Sequence, residues 1–293
     1  MKPAPFAYYR AHSVGEAVAL LAELGDEAKI LAGGLSLVPM MNFRLARPAA
    51  LVDVSRIEGL SYLRADPAGT GRLHIGALTT HRTVELSRDP AILAGFGVLP
   101  RSARWIGHYP IRSRGTFGGS IAHADPASEW CLLAVLLDAQ MVLTGPNGRQ
   151  RTVPAGDFFQ GYYTTAASPD EMITEVWFPQ PAPRAVLTEF APRQGDFAVV
   201  AAAVSADLQD GTCRSGRVVL GGVGPLPVEV DASALAGQPA TTSTWEAMGE
   251  HAAGQVDPPD DTHGSGEYRR RLTAILVSRA LAEASRIPGQ AGP

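Results

Sequence analysis

A short apolar stretch that runs directly into two glycines most constrains the fold of this chain. Residues 29–32 read as a buried strand, Gly33 and Gly34 follow at once, and residues 38–45 read as a short helix. Glycine adopts positive φ at little cost and lets backbone N–H groups approach an anion without an intervening Cβ. Strand, glycine turn and helix in this order favour a phosphate cradle built from main-chain amides, although the same glycines also fit a plain turn.

A second glycine-rich segment, residues 111–120, repeats this chemistry later in the chain. Its glycines are flanked by the hydroxyl groups of Thr116 and Ser120, and the arginines Arg112 and Arg114 lie beside them. We interpret the segment as a loop, and two anion-binding loops in one domain predict a ligand with a diphosphate. The two arginines either steady that diphosphate or form ion pairs at an interface.

Polar residues follow the second segment at the start of a predicted helix over 127–137. Asp125 either caps this helix or contacts the ligand, and Ser128 or Glu129 can meet a ribose or an adenine. The start of this helix therefore belongs to the candidate site.

The remaining pattern predicts an α+β protein with a mixed sheet in its first part and long strands in its second. Three prolines in residues 179–183 mark a linker. A chain of 293 residues exceeds the usual size of one core, so two domains are expected: 1–178, with sub-parts of about 1–57 and 58–178, and 179–293. Further predicted helices cover 17–24, 79–86 and 268–284, and further strands cover 51–54, 73–77, 140–143, 197–208 and 216–223.

Composition and missing motifs exclude several functions. Lys2 and Lys29 are the only lysines, so the chain has no Walker-type phosphate site, and no GxGxxG follows a strand as a Rossmann NAD site requires. The net charge of -4 gives no reason to expect nucleic acid as a partner. With no HExxH and no GxSxG, neither a metal site nor a catalytic nucleophile is expected.

The two cysteines and the first residues bear on the cellular setting. Cys131 and Cys213 are too few for an iron–sulfur cluster, so any such cluster must lie on another chain, and both are interpreted as buried thiols. The first ten residues lack the order of a signal peptide, and no apolar run approaches the ~20 residues of a membrane span. We therefore expect a cytoplasmic protein without a transmembrane segment.

In combination, these motifs resemble those of a known family, the FAD-binding medium subunits of the carbon monoxide dehydrogenase and xanthine dehydrogenase group of molybdenum hydroxylases. The resemblance extends over essentially the whole chain. It rests on Ala32-Gly33-Gly34-x-Ser36-Leu37-x-Pro39, Arg44-Leu45, Leu51-Val52-Asp53-Val54, Ile111-Arg112-x-Arg114-Gly115-Thr116-x-Gly118-Gly119, His123-Ala124-Asp125-Pro126-Ala127, Arg193-Gln194-Gly195-Asp196-Phe197-Ala198 and Tyr268-Arg269-Arg270-Arg271-Leu272.

The resemblance implies a fold and a set of cofactor contacts. The fold is a two-part FAD-binding domain of the p-cresol methylhydroxylase and vanillyl-alcohol oxidase type, followed by a smaller α+β domain with an antiparallel sheet and helices. No residue is expected to act as a catalytic acid or base. Asp196 either forms a turn or lies near the outer edge of the flavin. The implied FAD contacts are Ala32, Gly33, Gly34, Leu35, Ser36, Leu37, Thr116, Gly118, Gly119, Ser120, His123, Asp125 and Asp196.

The resemblance also implies a function within a larger enzyme. A molybdopterin cofactor on a large subunit oxidises the substrate, electrons cross [2Fe-2S] clusters on a small subunit, and FAD on this chain passes them to an acceptor. The three chains are expected to form a heterotrimer that pairs into an (αβγ)2 assembly. Two other hypotheses stay open: an assembly module of the same fold that has lost its cofactor, and a flavin dehydrogenase that acts alone.

Overall fold

The computed structural model describes residues 1–66 and 71–288, and within them three larger sheets follow one another along the chain. The strands are β1 (Ala7–Arg10), β2 (Ala28–Leu31), β3 (Ala50–Asp53), β4 (Leu63–Ala65), β5 (Leu73–Gly76), β6 (Gln140–Thr144), β7 (Gln150–Pro154), β8 (Phe159–Gly161), β9 (Thr164–Thr165), β10 (Met172–Phe178), β11 (Val186–Phe190), β12 (Val200–Gln209), β13 (Thr212–Gly221) and β14 (Val228–Val230). The helices are α1 (Val14–Leu24), α2 (Leu37–Asn42), α3 (His81–Glu85), α4 (Pro90–Phe96), α5 (Val98–Ser102), α6 (Tyr109–Arg114), α7 (Phe117–His123), α8 (Glu129–Leu136), α9 (Ala155–Phe158), α10 (Thr242–Gly254) and α11 (Gly266–Arg286).

The first sheet is small and parallel, with strand order β1-β3-β2. Its helix α1 begins as predicted: the Ser13 hydroxyl accepts a hydrogen bond from the Glu16 amide, and the Glu16 carboxylate accepts one from the His12 amide. The apolar face of α1 buries Val18 and Leu21 against β3. This unit holds the first glycine pair at the end of β2.

The second sheet is antiparallel and carries the main core, with strand order β4-β5-β10-β6-β7. Helices α7 and α8 bring Phe117 and Trp130 into this core, with ring centroids 4.8 Å apart. Every residue of α8 from Trp130 to Leu136 is buried. A helix that is apolar all round must be covered on every side, and α8 packs against α7 and α9 on one side and against the third sheet on the other.

The third sheet, with strand order β11-β12-β13-β14, packs against α8. Ala201 and Ala203 of β12 join the same buried cluster as α8. The alternate residues Ala202 and Val204 face α10 and α11 on the other side. Because side chains alternate across a strand, this sheet lies between α8 and the C-terminal helices.

The observed fold confirms the predicted class: a two-part first domain and a smaller α+β unit with an antiparallel sheet. The boundary at residues 178 and 179 stays a proposal. In its support, β10 ends at Phe178 and completes the second sheet, whereas β11 opens the third sheet.

One prediction about local structure is wrong. Residues 111–120 do not form an extended glycine loop, because α6 and α7 occupy most of the segment and leave only Gly115 and Thr116 between them. Thr116 begins α7 by accepting a hydrogen bond from the Gly119 amide at 3.1 Å. Glycines inside a helix lower its intrinsic propensity, but this cap and tertiary packing override that preference.

Both cysteines are free and buried, as predicted. Among the described residues, none of the helices has the length and apolar composition needed to cross a bilayer.

Candidate functional site

The first glycine turn presents main-chain donors that the protein itself does not use. Within the described part of the chain, the backbone N–H groups of Gly33, Gly34, Leu35 and Ser36 donate no hydrogen bond to a protein acceptor. Gly34 has φ +78°, a conformation that favours glycine. Residues 32–37 are all half-buried. Backbone N–H groups in such a position are normally paired, so a row without protein partners is suited to an anion.

The two glycine segments lie against each other. A Cβ placed on Gly33 would lie 2.2 Å from the carbonyl oxygen of Arg114 and 3.0 Å from the Cα of Gly115. A Cβ on Gly119 would lie 3.9 Å from that of Ala32. Only a glycine at position 33 allows this approach of the two backbones, so the fold brings both segments to one place.

In the second glycine segment, amides that the sequence analysis assigned to a ligand are used within the chain. The amides of Gly118 and Ser120 donate to the carbonyl groups of Ala77 and Thr116, and the Gly119 amide donates to the Thr116 hydroxyl. These donors are therefore already paired within the chain. A Cβ on Gly118 would lie 2.6 Å from the Cβ of Ala77, so this glycine allows α7 to pack closely against the end of β5.

A buried histidine fixes the turn between α6 and α7. The His81 amide donates to the Gly115 carbonyl at 3.0 Å, and a Cβ on Gly115 would lie 2.6 Å from the His81 Nε2. The His81 Nδ1 accepts a hydrogen bond of 2.9 Å from the Trp130 indole. Burial, and secondly the Arg112 guanidinium, lowers the pKa of His81 to about 4, so its ring is neutral.

Arg112 is engaged within the chain. Its Nε lies 3.0 Å from a Glu85 carboxylate oxygen, and its NH1 donates to the carbonyl groups of Ile106 and Gly107. It therefore anchors the loop before α6, a structural role.

Ser120 connects α7 to the start of α8. Its hydroxyl lies 2.8 Å from that of Ser128, the residue before α8, and its carbonyl faces the Cys131 thiol. The polar residues at the start of α8 are thus tied directly to the second glycine segment.

His123 and Asp125 lie together beside a tyrosine that the sequence analysis did not identify. The His123 ring centroid is 5.0 Å from that of Tyr163, on the β8–β9 hairpin. Asp125 accepts a hydrogen bond of 2.9 Å from the Ala127 amide and so stabilises the turn before α8 without capping the helix itself. Burial, followed by the nearby Asp125 carboxylate, raises the pKa of Tyr163, and burial lowers the pKa of His123. Nothing local in the sequence relates Tyr163 to His123, because they meet only through tertiary packing.

Asp196 lies apart from these groups. It is exposed, and its amide donates to the Arg193 carbonyl at 3.2 Å, which closes a turn. A Cβ on the neighbouring Gly195, with φ +87°, would lie 2.5 Å from the His108 ring. In the described residues, the Asp196 amide donates no hydrogen bond to either glycine segment, and its role at a cofactor stays a proposal.

Two acidic side chains approach each other behind the start of α8. Glu129 is the first residue of this helix, and Glu189 lies on β11. Burial raises the pKa of both carboxyl groups, and for Glu129 the neighbouring Glu189 raises it further. No group of three or more potential metal-ligating side chains occurs in residues 1–66 and 71–288.

Comparison with known proteins identifies the family. The family described as "FAD binding domain in molybdopterin dehydrogenase" matches residues 4–181, and "CO dehydrogenase flavoprotein C-terminal domain" matches residues 185–284. The chain is 38% identical over 289 residues to the "6-hydroxypseudooxynicotine dehydrogenase complex subunit alpha" of Paenarthrobacter nicotinovorans, covering 97% of this chain and 96% of that protein. It is 36% identical over 285 residues to the "Carbon monoxide dehydrogenase medium chain" of Hydrogenophaga pseudoflava, covering 96% and 97%.

A solved structure agrees. The fold superimposes with a TM-score of 0.91 on a chain of the carbon monoxide dehydrogenase from Hydrogenophaga pseudoflava, at 37% identity, covering 97% of this chain and 99% of that one. The chain therefore belongs to the flavoprotein-subunit family of the molybdopterin dehydrogenases, an FAD-dependent oxidoreductase family, as the sequence motifs indicated.

Proposed function

We propose that this chain is the electron-transfer subunit of a heterotrimeric molybdenum hydroxylase. It would take electrons from [2Fe-2S] clusters on a small subunit and pass them to an external acceptor. The substrate of the enzyme would be oxidised at a molybdopterin on a large subunit. The observation that carries the proposal is the row of half-buried, unpaired amides from Gly33 to Ser36, packed against the turn at Gly115.

These residues fit the diphosphate of FAD. The phosphate oxygens need donors, and four adjacent amides provide them without a fixed positive charge. Ser36 adds a hydroxyl group that, within the described residues, does not cap α2. We assign Ala32 to Leu37 to the diphosphate. We assign Thr116, Gly118, Gly119 and Ser120 to the wall that supports it.

The site needs no acid or base of its own. FAD supplies the chemistry of accepting and releasing electrons when bound, and the protein supplies placement and an electrostatic environment. His123, with the tilted ring of Tyr163 beside it, would border the cofactor, and Asp125 would hold the turn before α8 next to both. We keep Asp196 as a candidate for the outer edge of the flavin.

Partners follow from the family. The relative from Paenarthrobacter nicotinovorans is named as the subunit of a complex, and the one from Hydrogenophaga pseudoflava as a medium chain. We therefore propose a small iron–sulfur subunit and a large molybdopterin subunit as partners, in an (αβγ)2 assembly. The cytoplasmic location remains a prediction from the sequence.

Reconstitution tests this function. The purified chain should bind FAD and show flavin absorbance, and the flavin should be bleached by the enzyme's substrate only when both partner subunits are present. A chain that binds no flavin after incubation with FAD would refute the proposal. Substrate turnover by the isolated chain would instead identify a flavin dehydrogenase that acts alone.

A further inference from the structure

The side chain of Glu189 points toward α8 rather than into solvent. Glu189 on β11 is paired with Ala201 on β12, which is paired with Gly221 on β13. Residues paired across antiparallel strands share one face of the sheet. A Cβ on Gly221 would lie 2.7 Å from Leu132 and 2.9 Å from the Pro126 carbonyl, so this row faces α8 and the turn before it.

Glu129 meets that row from the other side. It is the first residue of α8, directly after Ser128, whose hydroxyl lies 2.8 Å from that of Ser120. The Pro126 carbonyl also accepts a hydrogen bond from the Gly222 amide at 3.3 Å. Leu132, which lies against Gly221 of that row, is one turn after Glu129 on α8, so both glutamates lie where α8 meets the third sheet, next to the second glycine segment.

One carboxylate oxygen at this point has no partner. The Glu189 Oε2 atom is buried, and no hydrogen bond to it is found in the described residues. A buried carboxylate without a partner is costly by several kcal/mol, and the cost falls when a proton is bound and shared. Burial raises the pKa of both carboxyl groups above the ordinary value near 4, in agreement with this placement.

We propose that Glu129 and Glu189 share one proton beside the cofactor site, and that this proton is linked to FAD binding. The inference rests on the proposed function, because it takes the anionic ligand to be FAD. A diphosphate nearby disfavours the ionised pair, so FAD binds best to the protonated pair. As the pH rises and the pair loses its proton, carboxylate charge accumulates beside an anionic ligand and binding weakens.

The surrounding charges favour the shared proton. Asp125, in the turn before α8, adds negative charge and raises the pKa of Glu129 further. From the α11 side, the Arg269 guanidinium donates to the carbonyl groups of Val199 and Gly222 and is paired with Asp261, so its charge is already neutralised.

The dissociation constant for FAD, measured on the full chain from about pH 5 to about pH 9, tests this linkage. For the wild type we expect the constant to increase with pH, by up to about tenfold for each unit by which FAD raises the pKa of the pair. The isosteric variants E129Q and E189Q should each flatten this dependence. The matched control E246Q removes an exposed carboxylate on α10 and should keep the wild-type slope.

A wild-type constant that does not change with pH, or a slope retained in both glutamine variants, would overturn the inference while leaving FAD binding intact. Infrared spectra of the chain without FAD test the shared proton independently. The carbonyl stretch of a protonated carboxylic acid should be present at neutral pH, and it should be weakened or shifted in E129Q and E189Q. Its absence from the wild type would refute the shared proton, whether or not FAD binds. Absence of flavin at every pH would instead refute the proposed function.

Discussion

Gly33→Ala is the sharpest test of the converging glycine segments. The added methyl group would lie 2.2 Å from the Arg114 carbonyl oxygen, whereas ordinary contacts begin at 3.4 Å. The atoms that this methyl group meets, in Arg114 and Gly115, all belong to the backbone, so no side-chain rotation can relieve the contact and the two segments must separate by about 1 Å. The φ of Gly33 lies outside the left-handed region, so the effect is steric and not conformational strain.

The cost of this displacement can be worked out. Moving an amide by about 1 Å stretches a hydrogen bond of ~2.9 Å beyond the range in which it stabilises. One hydrogen bond to a charged group contributes about 1.5–3 kcal/mol, so the loss of one predicts a dissociation constant for FAD weaker by roughly 10- to 100-fold. Overpacking should also lower the free energy of unfolding by about 1–3 kcal/mol.

Flavin fluorescence titration and thermal melts measure both quantities. Gly15→Ala is the matched control: in α1 its methyl group meets nothing closer than 3.9 Å, and the helix should gain up to about 1 kcal/mol. If Gly33→Ala bound FAD as tightly as the wild type and melted at the same temperature, the two segments would not be in the contact described.

Three further predictions concern stability. Arg269→Ala leaves buried carbonyl groups unpaired and should lower the free energy of unfolding, measured by chemical denaturation, by about 3 kcal/mol. The partner of Arg270 is fully exposed, so Arg270→Ala should change this free energy by no more than about 0.5 kcal/mol, and equal effects would contradict the prediction. Because the pKa of His81 is lowered from 6.5 to about 4, the unfolded chain binds a proton before the folded chain does. The free energy of unfolding should therefore be highest above pH 6.5 and fall by about 3 kcal/mol as the pH falls toward 4. Melts across this range should show a slope that His81→Gln reduces, and an unchanged slope would refute the assignment. Thr116→Ala removes the cap of α7 and should lower the unfolding free energy by about 1 kcal/mol, an effect that Thr116→Ser should largely avoid.

Signals contained within a few residues were readable from the sequence. The capping box at Ser13 and Glu16 sets the start of α1, and the apolar run of β2 stops at the glycine pair where predicted. The long C-terminal helix was expected over 268–284 and extends from Gly266 to Arg286. In each case the residues that decide the structure are neighbours in the chain, so no tertiary contact is needed to predict it.

The second glycine segment has a structure that neighbouring residues alone do not predict. Gly118 and Gly119 read as helix breakers, yet they lie inside α7. The reason is non-local: Gly118 needs no side chain because Ala77 lies where a Cβ would be. Strand β10 was also missed, although its partners β5 and β6 were both predicted. Tyr163 and Glu189 could not be found either, since each reaches the site only after the hairpin and the third sheet have packed.

Packing against the third sheet sets the position of helix α8, which leads to the candidate site. Helix α8 begins at the candidate site, where Ser128 meets Ser120, and its body is buried between the third sheet and helices α7 and α9. Leu132 fills the space that Gly221 leaves open, so the position of α8 is set from the C-terminal side. A close-packed helix transmits displacement instead of absorbing it. We therefore expect a shift of β13 to move Ser128 and Glu129 together, at the start of α8.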